Sequence, residues 1–282
     1  MIRAAGPSDA AAVEAFLLRH VAGAMFPLSN LRLHGLAEGD FATDHPHAMR
    51  VWLVDDGVIG VTRAGMVMPM LPKGGDLTGL GAALGGMDLT GSVGPAPHVR
   101  DVLCVLGLVG RPTLRDVDEP GFTLDLAKLR VPDHAGAVIV APGQDDRAFM
   151  VASRVAYHIE ALGTDPAKAM AHAEADIDDY MMRDSHRVLR VNGQPVAMTG
   201  FNANLPEIVQ IGGVYTPSPL RNRGYARLAV ALHLAEARGR GVKRAVLFAA
   251  NAAAVKAYEA IGFQAAAPVG LVLFDGAQRV AQ

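Results

Sequence analysis

One stretch constrains the fold more than any other: Gln210-Ile-Gly-Gly-Val-Tyr-Thr-Pro-Ser-Pro-Leu-Arg-Asn-Arg-Gly-Tyr-Ala226. Its start belongs to an apolar strand running from Ile208 to Tyr215. Thr216-Pro217-Ser218-Pro219 then forbids helix, because proline fixes its own φ and pushes the preceding residue out of the helical region. Arg221-Asn222-Arg223-Gly224-Tyr225-Ala226 leads into a long helix, Arg223 to Arg238, ended by Gly239. The N–H groups at a helix start are unpaired and carry the positive end of the dipole. Gly224 lets a ligand approach the backbone, Ala226 keeps the first turn narrow, and two arginines add charge. This is the chemistry of a diphosphate cradle; the plainer alternative is a basic strand-to-helix turn.

Around this stretch the second half reads as a complete unit. Ala137 to Ala141 is a short strand. Asp145 to Leu162 is a helix stopped by Gly163, and Asp165-Pro166 caps another that runs to about Arg183. Val188 to Val191 and Val196 to Phe201 flank Asn192-Gly193, a hairpin signal. After the long helix come a strand, Ala245 to Ala249, a helix capped by Asn251 and ended at Gly262, and a strand, Val269 to Phe274. The order is β-α-α-β-β-β-α-β-α-β. The first half offers a looser copy. It has a strand at Ile2 to Ala4, a helix from Ser8 to about Ala22, and a hairpin around Asp55-Asp56-Gly57. A strand at Met66 to Met70, a short helix within Gly74 to Gly86, a strand at Thr90 to Val93 and a helix from Pro97 to Leu108 complete it. Phe122 to Leu129 reads as an amphipathic segment, and the turn-rich Val131-Pro132-Asp133-His134 sets the expected boundary: domains 1–132 and 133–282, an internal repeat.

Composition removes several function classes. Hydrophobic residues are 51% of the 282 and charged residues 19%, so most of the chain can bury a core. A net charge of -2 argues against binding nucleic acid or an anionic membrane through bulk charge. Cys104, the single cysteine, excludes an internal disulfide and a four-cysteine zinc site, and is expected to be an inert core residue. No apolar run approaches the ~20 residues of a membrane span, and Asp9 and Glu14 interrupt any signal-peptide core. A cytoplasmic location is the expectation.

Three features together resemble the GCN5-related N-acetyltransferase (GNAT) superfamily, over roughly Ala137 to Phe274. Val214-Tyr-Thr-Pro217 is similar to the end of the family's fourth strand. Arg221-x-x-Gly224-x-Ala226 matches its Gln/Arg-x-x-Gly-x-Gly/Ala pyrophosphate loop. Asn251 through Tyr258 to Gly262-Phe263 matches its closing strand–helix–strand element; Asn251 and Tyr258 are seven apart, two helical turns, on one face. The resemblance implies an α+β fold: two GNAT-like domains, each a mostly antiparallel twisted sheet flanked by helices, the first degenerate. It implies acetyl-CoA as acyl donor in a V-shaped opening between the fourth and fifth strands, and an amine acceptor that attacks directly. The pyrophosphate would sit on the amides of Asn222, Arg223, Gly224, Tyr225 and Ala226. Gly213, Val214 and Tyr215 would pair with the pantetheine arm, the Val214 amide facing the thioester oxygen, and Asn251 would hold the other side. Tyr258 would protonate the leaving thiolate. No metal is called for.

The proton acceptor is less legible. Glu207 opens the fourth strand and is the first candidate; a solvated carboxylate is the plain alternative. Glu174, Asp176, Asp178 and Asp179 could attract a cationic amine or form a solvated face, and His172 with Asp176 lacks partners for a metal site. His186 and His233 read as structural. In the first half Leu71-Pro-Lys-Gly-Gly-Asp76 replaces the pyrophosphate loop, Gly79-x-Gly81-x-x-x-Gly85 misses a dinucleotide fingerprint by one residue, and no tyrosine matches Tyr258. Two rivals stand beside an N-acetyltransferase of small molecules: a non-catalytic acyl-CoA-binding module, and an enzyme acting on protein lysines or N-termini.

Overall fold

The computed structural model describes residues 2–281 and divides into two compact units, one of residues 1–120 with 267–282, the other of residues 121–266. In the first unit the chain forms β1 (Ile2–Ala4), α1 (Ala10–Arg19), α2 (Val21–His34), β2 (Met49–Val54), β3 (Gly57–Thr62), β4 (Met66–Met70), α3 (Leu80–Leu84), β5 (Asp88–Pro95) and α4 (Ala96–Val105). The strand β6 (Thr113–Asp125) then leaves it. The second unit follows with β7 (Ala137–Val140), α5 (Arg147–Leu162), α6 (Pro166–Met182), β8 (His186–Val191), β9 (Gln194–Asn204) and β10 (Ile208–Tyr215). It ends with α7 (Tyr225–Gly239), β11 (Arg244–Phe248) and α8 (Ala252–Ala260), before β12 (Gln264–Arg279) returns to the first unit.

The two halves therefore repeat one plan, β-α-α-β-β-β-α-β-α-β, with the last strand of each half exchanged. In the first unit antiparallel pairs join β1 to β2, β2 to β3 and β3 to β4, β4 runs parallel to β5, and β12 pairs antiparallel with β5. The second unit has the same arrangement: β7, β8, β9 and β10 antiparallel in turn, β10 parallel to β11, and β6 antiparallel to β11 from Gly121 onward. The compact units thus divide at Gly121 and Ala267 rather than at residues 132 and 133. The turn-rich stretch that drew the boundary on sequence lies inside the second unit, because β6 has already joined β11 before it.

Three local differences from the sequence reading have physical causes. Val21–His34 is helical although it carries Gly23 and Pro27; Ala24 breaks the helical dihedrals, and seven residues from Ala24 to Leu31 are buried. Burial overrides poor propensity here. The amphipathic segment Phe122 to Leu129 is split between two elements: residues up to Asp125 finish β6, and a single 3-10 turn follows. Cys104 is exposed on α4 rather than part of the core, whose α4 contribution is Val99, Val102 and Leu103.

The core of the second unit lies on both faces of its sheet. Val209 and Ile211 of β10 pack with Val230, Ala231 and Leu234 of α7 and with Tyr258 of α8. Val188 of β8 packs on the other face with Met150 of α5 and with Ile177 and Tyr180 of α6.

Candidate active site

The site is built where two parallel strands part. β10 and β11 are in register only from Ile208 opposite Arg244 to Gln210 opposite Val246. Beyond that β10 continues to Tyr215 and β11 to Phe248 with no further pairing between them. On its other edge β10 stays with β9, but through an irregular register: Gly212 faces Gly200 and Tyr215 faces Met198, so β10 carries one extra residue. Gly213 absorbs it at φ +62, in the left-handed region. The bulge turns the backbone at Gly213-Val214 away from regular pairing, just where the two strands separate.

His186 fills the space that the bulge creates. A Cβ on Gly213 would stand 2.8 Å from His186 Nε2, and one on Gly200 would collide with the same ring. The imidazole stacks on Tyr180 at 3.6 Å, and its Nδ1 is 2.9 Å from Ser185 Oγ. Burial holds its pKa well below the ordinary histidine value, and Arg154 and Arg183 act in the same direction, so the ring is neutral. Nε2 is buried without a hydrogen-bond partner. His186 sits directly under the bulge. His233, also neutral through burial, stacks on Phe201.

The loop after β10 brings the basic residues together. Thr216 is buried, with its hydroxyl unpartnered. A 3-10 turn, Ser218–Leu220, leads to Arg221. Asn222 and Gly224 both take positive φ, +63 and +77, and Gly224 caps α7. The helix begins at Tyr225, two residues later than read. No acidic residue stands in its first turn. Tyr225 is partly buried and packs against the cluster that contains Leu189 and Ala197.

Arg221 is already engaged. Its Nη2 donates to Glu160 Oε2 at 2.6 Å and to the Tyr215 hydroxyl at 3.0 Å, and its Nε donates to the Thr216 carbonyl at 3.0 Å. The Tyr215 hydroxyl donates to Glu160 Oε1 at 3.0 Å. The hydrogen bond from Arg221 is the main reason that the Glu160 carboxyl is held below its ordinary value. Glu160, on the last turn of α5, was not legible as a site residue; only the structure shows it facing the loop.

On the opposite edge Asn251 is extended, and its side-chain oxygen accepts from the Ala254 amide at 3.0 Å, capping α8. Two turns on, Tyr258 is buried and tilts against Phe263. Because β10 and β11 are parallel, Tyr215, the basic loop and Asn251 all follow the carboxyl ends of the two strands, the usual place for a ligand in such sheets. Glu207 does not join them. It precedes the first residue of β10, where its carbonyl accepts from Lys243 and Arg244, about 20 Å of strand from Val214.

The three aspartates of the acidic run on α6 are paired in place. Asp176 accepts from Arg154 Nε at 2.6 Å and lies 2.8 Å from His158 Nε2, Asp178 pairs with Arg147, and Asp179 pairs with Arg183. Among the described residues no group of three or more His, Cys, Asp or Glu is placed to hold a metal ion, and no helix is long and apolar enough to cross a membrane.

The splayed strands, the bulge and the glycine-capped basic loop coincide with a family match: residues 153–263 fit the acetyltransferase (GNAT) family. The segment is a GNAT acetyltransferase domain. The family takes acetyl-CoA or another acyl-CoA as cosubstrate. The residues present suit such a thioester: an opening between strands, an amide freed by a bulge, and a cationic helix start with backbone that only glycine or asparagine adopts easily.

Solved GNAT structures match the whole chain, not just this segment. A GCN5-related N-acetyltransferase from Kribbella flavida is 15% identical over 95% of this chain and 96% of its own, with a TM-score of 0.56. One from Sphaerobacter thermophilus is 16% identical over 100% and 96%, at 0.54. A tandem GNAT protein from the clavulanic acid biosynthesis pathway is 12% identical over 100% and 99%, at 0.56. At these identities the likeness is one of fold, and it extends the GNAT plan to the first unit. No curated protein matches the chain significantly.

Proposed function

We propose that the second half, residues 133–282 on the sequence boundary, moves an acetyl or other short acyl group from CoA to an amine by direct attack. The observation that carries this is the parting of β10 from β11 after Gln210, with the Gly213-Val214 bulge at its edge. Acetyl-CoA would enter the opening with its diphosphate on the amides of Asn222 to Ala226 and its pantetheine along Gly213, Val214 and Tyr215. Asn251 would face it from the cap of α8, just after β11. The amine nitrogen attacks the thioester carbonyl, and the Val214 amide donates to the oxygen as negative charge develops there. The C–N bond forms, the C–S bond breaks, and the thiolate takes a proton from Tyr258. Glu207 stands at the opposite end of β10, so the proton of the amine leaves by another route.

Two features support placing the chemistry in this half alone. Among the described residues, every buried side-chain nitrogen or oxygen without a partner lies in the second unit, where a polar ligand would be met. In the first unit, counting back from the proline that ends each turn (Pro72 and Pro217), Pro69 takes the place of Val214 and has no N–H to give. A Cβ on Gly94 would stand 3.0 Å from the Pro69 carbonyl, so β4 and β5 remain close at that point.

Asp176, Asp178 and Asp179 on α6 are each engaged by an arginine, so they are not free to meet a cationic peptide, which favours a small amine over a protein acceptor. The test is incubation of the chain with acetyl-CoA and a panel of small amines and lysine peptides, reading free thiol and product mass. Amine-dependent thiol release with an acetylated product is expected. Thioester that stays intact with every amine, or is only hydrolysed, would refute the reading.

A further inference from the structure

The cradle carries a third arginine that the loop motif does not include. Arg227 is the third residue of α7. Side chains on a helix lean toward its N-terminus, so a long residue at this position reaches back over the first amides. Arg227 does so: a Cβ on Gly224 would lie 3.3 Å from Arg227 Nη2. Its Nε is buried and has no partner.

This placement is unfavourable for the protein alone. A helix start favours carboxylates and repels cations. Here the first turn has no acid, and Arg223 and Arg227 flank the positive end of the dipole with no ion pair to either among the described residues. A buried donor of a permanent cation left unpaired costs stability that surface arginines do not give up. An anion with several acceptor oxygens would remove all three penalties at once. Arg221 cannot serve equally, because its Nε and Nη2 are spent on Thr216, Tyr215 and Glu160.

We propose that Arg227, rather than Arg221 of the motif, is the guanidinium that meets the diphosphate of the acyl-CoA, while Glu160 and Tyr215 use Arg221 as a pin that fixes the loop. The assignment rests on the acyl-CoA reading above and divides the arginines by task. Arg227 supplies charge to the ligand. Arg221 supplies shape, acting through the loop as a positioning residue. Glu160 is then a positioning residue too, one whose carboxylate stays in place when the ligand binds.

Calorimetric titration with coenzyme A and with pantetheine, which lacks the diphosphate, separates these roles. Arg227→Gln is expected to weaken coenzyme A binding about 10- to 100-fold, the range for a charge-assisted hydrogen bond. It should flatten the dependence of affinity on salt and leave pantetheine binding unchanged. Arg227→Lys, which keeps the charge but not the fork, should recover part of the loss and carries the test if the glutamine variant folds poorly. Arg221→Gln and Glu160→Gln should each weaken both ligands a few-fold, and the double variant should lose less than the two single losses combined, since both remove the Arg221–Glu160 contact. Arg227→Gln binding coenzyme A like wild type would overturn the assignment. So would a larger, salt-dependent loss in Arg221→Gln, or tighter binding in Glu160→Gln. Failure of the wild-type chain to bind coenzyme A would instead sink the reading on which the assignment rests, before any variant is compared.

Discussion

Gly213→Ala isolates the bulge. Gly213 holds φ +62, where an L side chain costs about 1–2 kcal/mol. The added methyl would also stand 2.8 Å from His186 Nε2, a ring clamped between Tyr180 and the sheet that cannot retreat freely. The backbone at Gly213-Val214 must therefore shift, and with it the Val214 amide. Gly193→Ala is the control: it has φ +79 in a hairpin, and its new methyl would meet nothing within 4 Å. Both variants should lose the dihedral cost. Only Gly213→Ala should lose turnover, by up to about 10²–10³-fold, the range for removing one oxyanion donor. Affinity for coenzyme A should fall much less than turnover, because the diphosphate cradle lies beyond Tyr215 and only the pantetheine arm meets the shifted backbone. Steady-state kinetics with the best amine, calorimetry and thermal melts of both variants decide the matter. Normal turnover in Gly213→Ala, or an equal kinetic loss in Gly193→Ala, would refute the link between bulge and catalysis.

Other predictions follow from the same geometry. Tyr258→Phe should lower turnover about 10²-fold or more with coenzyme A affinity retained, since only a proton is lost; normal turnover across the pH range would assign the proton to another group. Arg223→Glu should place a carboxylate at the loop and remove most of the coenzyme A affinity, read by titration; unchanged binding would move the diphosphate elsewhere. Burial keeps His186 and His233 neutral in the fold, so below the ordinary histidine pKa of about 6.5 the unfolded chain binds more protons than the folded one. Stability should therefore fall as pH drops from 7 toward 5, by up to about 1.4 kcal/mol per pH unit for each ring, in urea melts. His233→Phe, which can keep the stack on Phe201, should reduce that slope by one proton. An identical slope would mean that the ring titrates normally.

Much of the second unit was legible because its signals are local. Ile208–Tyr215 could be bounded to the residue: proline ends it and apolar spacing starts it. Asn192-Gly193 placed its hairpin, and Asp165-Pro166 its helix start, through dihedral preferences of single residues. The exchange of β6 and β12 was not legible. β6 carries Pro120 and the charged Arg115, Asp116, Asp118 and Glu119, which give no apolar strand pattern, and its end, Gly121 to Asp125, pairs with a strand more than a hundred residues away. The helix Val21–His34 was hidden for a similar reason, since Gly23 and Pro27 speak against it and burial against the rest of the unit speaks for it.

Motif spacing alone singled out the loop from Arg221 to Ala226 and the end of β10, and the structure sets the two next to each other where β10 leaves β11. The engagement of Arg221 by Glu160 was out of reach, because α5 and the loop meet only in three dimensions. Arg227 did leave a sequence signal: an arginine in the first turn of a helix, where carboxylates are favoured. Glu207 precedes β10, at the end opposite to the one where β10 and β11 part, a distinction that a strand pattern in sequence does not carry.

The central claim is that the second unit alone takes an acyl-CoA, in the opening between β10 and β11. Titration of the intact chain with acetyl-CoA, after removal of any copurified coenzyme, tests it most directly. The account predicts one site per chain, lost in Arg223→Glu and kept when Pro69 is replaced by valine. Two sites would mean that the first unit binds as well, and no binding would mean that the fold has been kept without its chemistry.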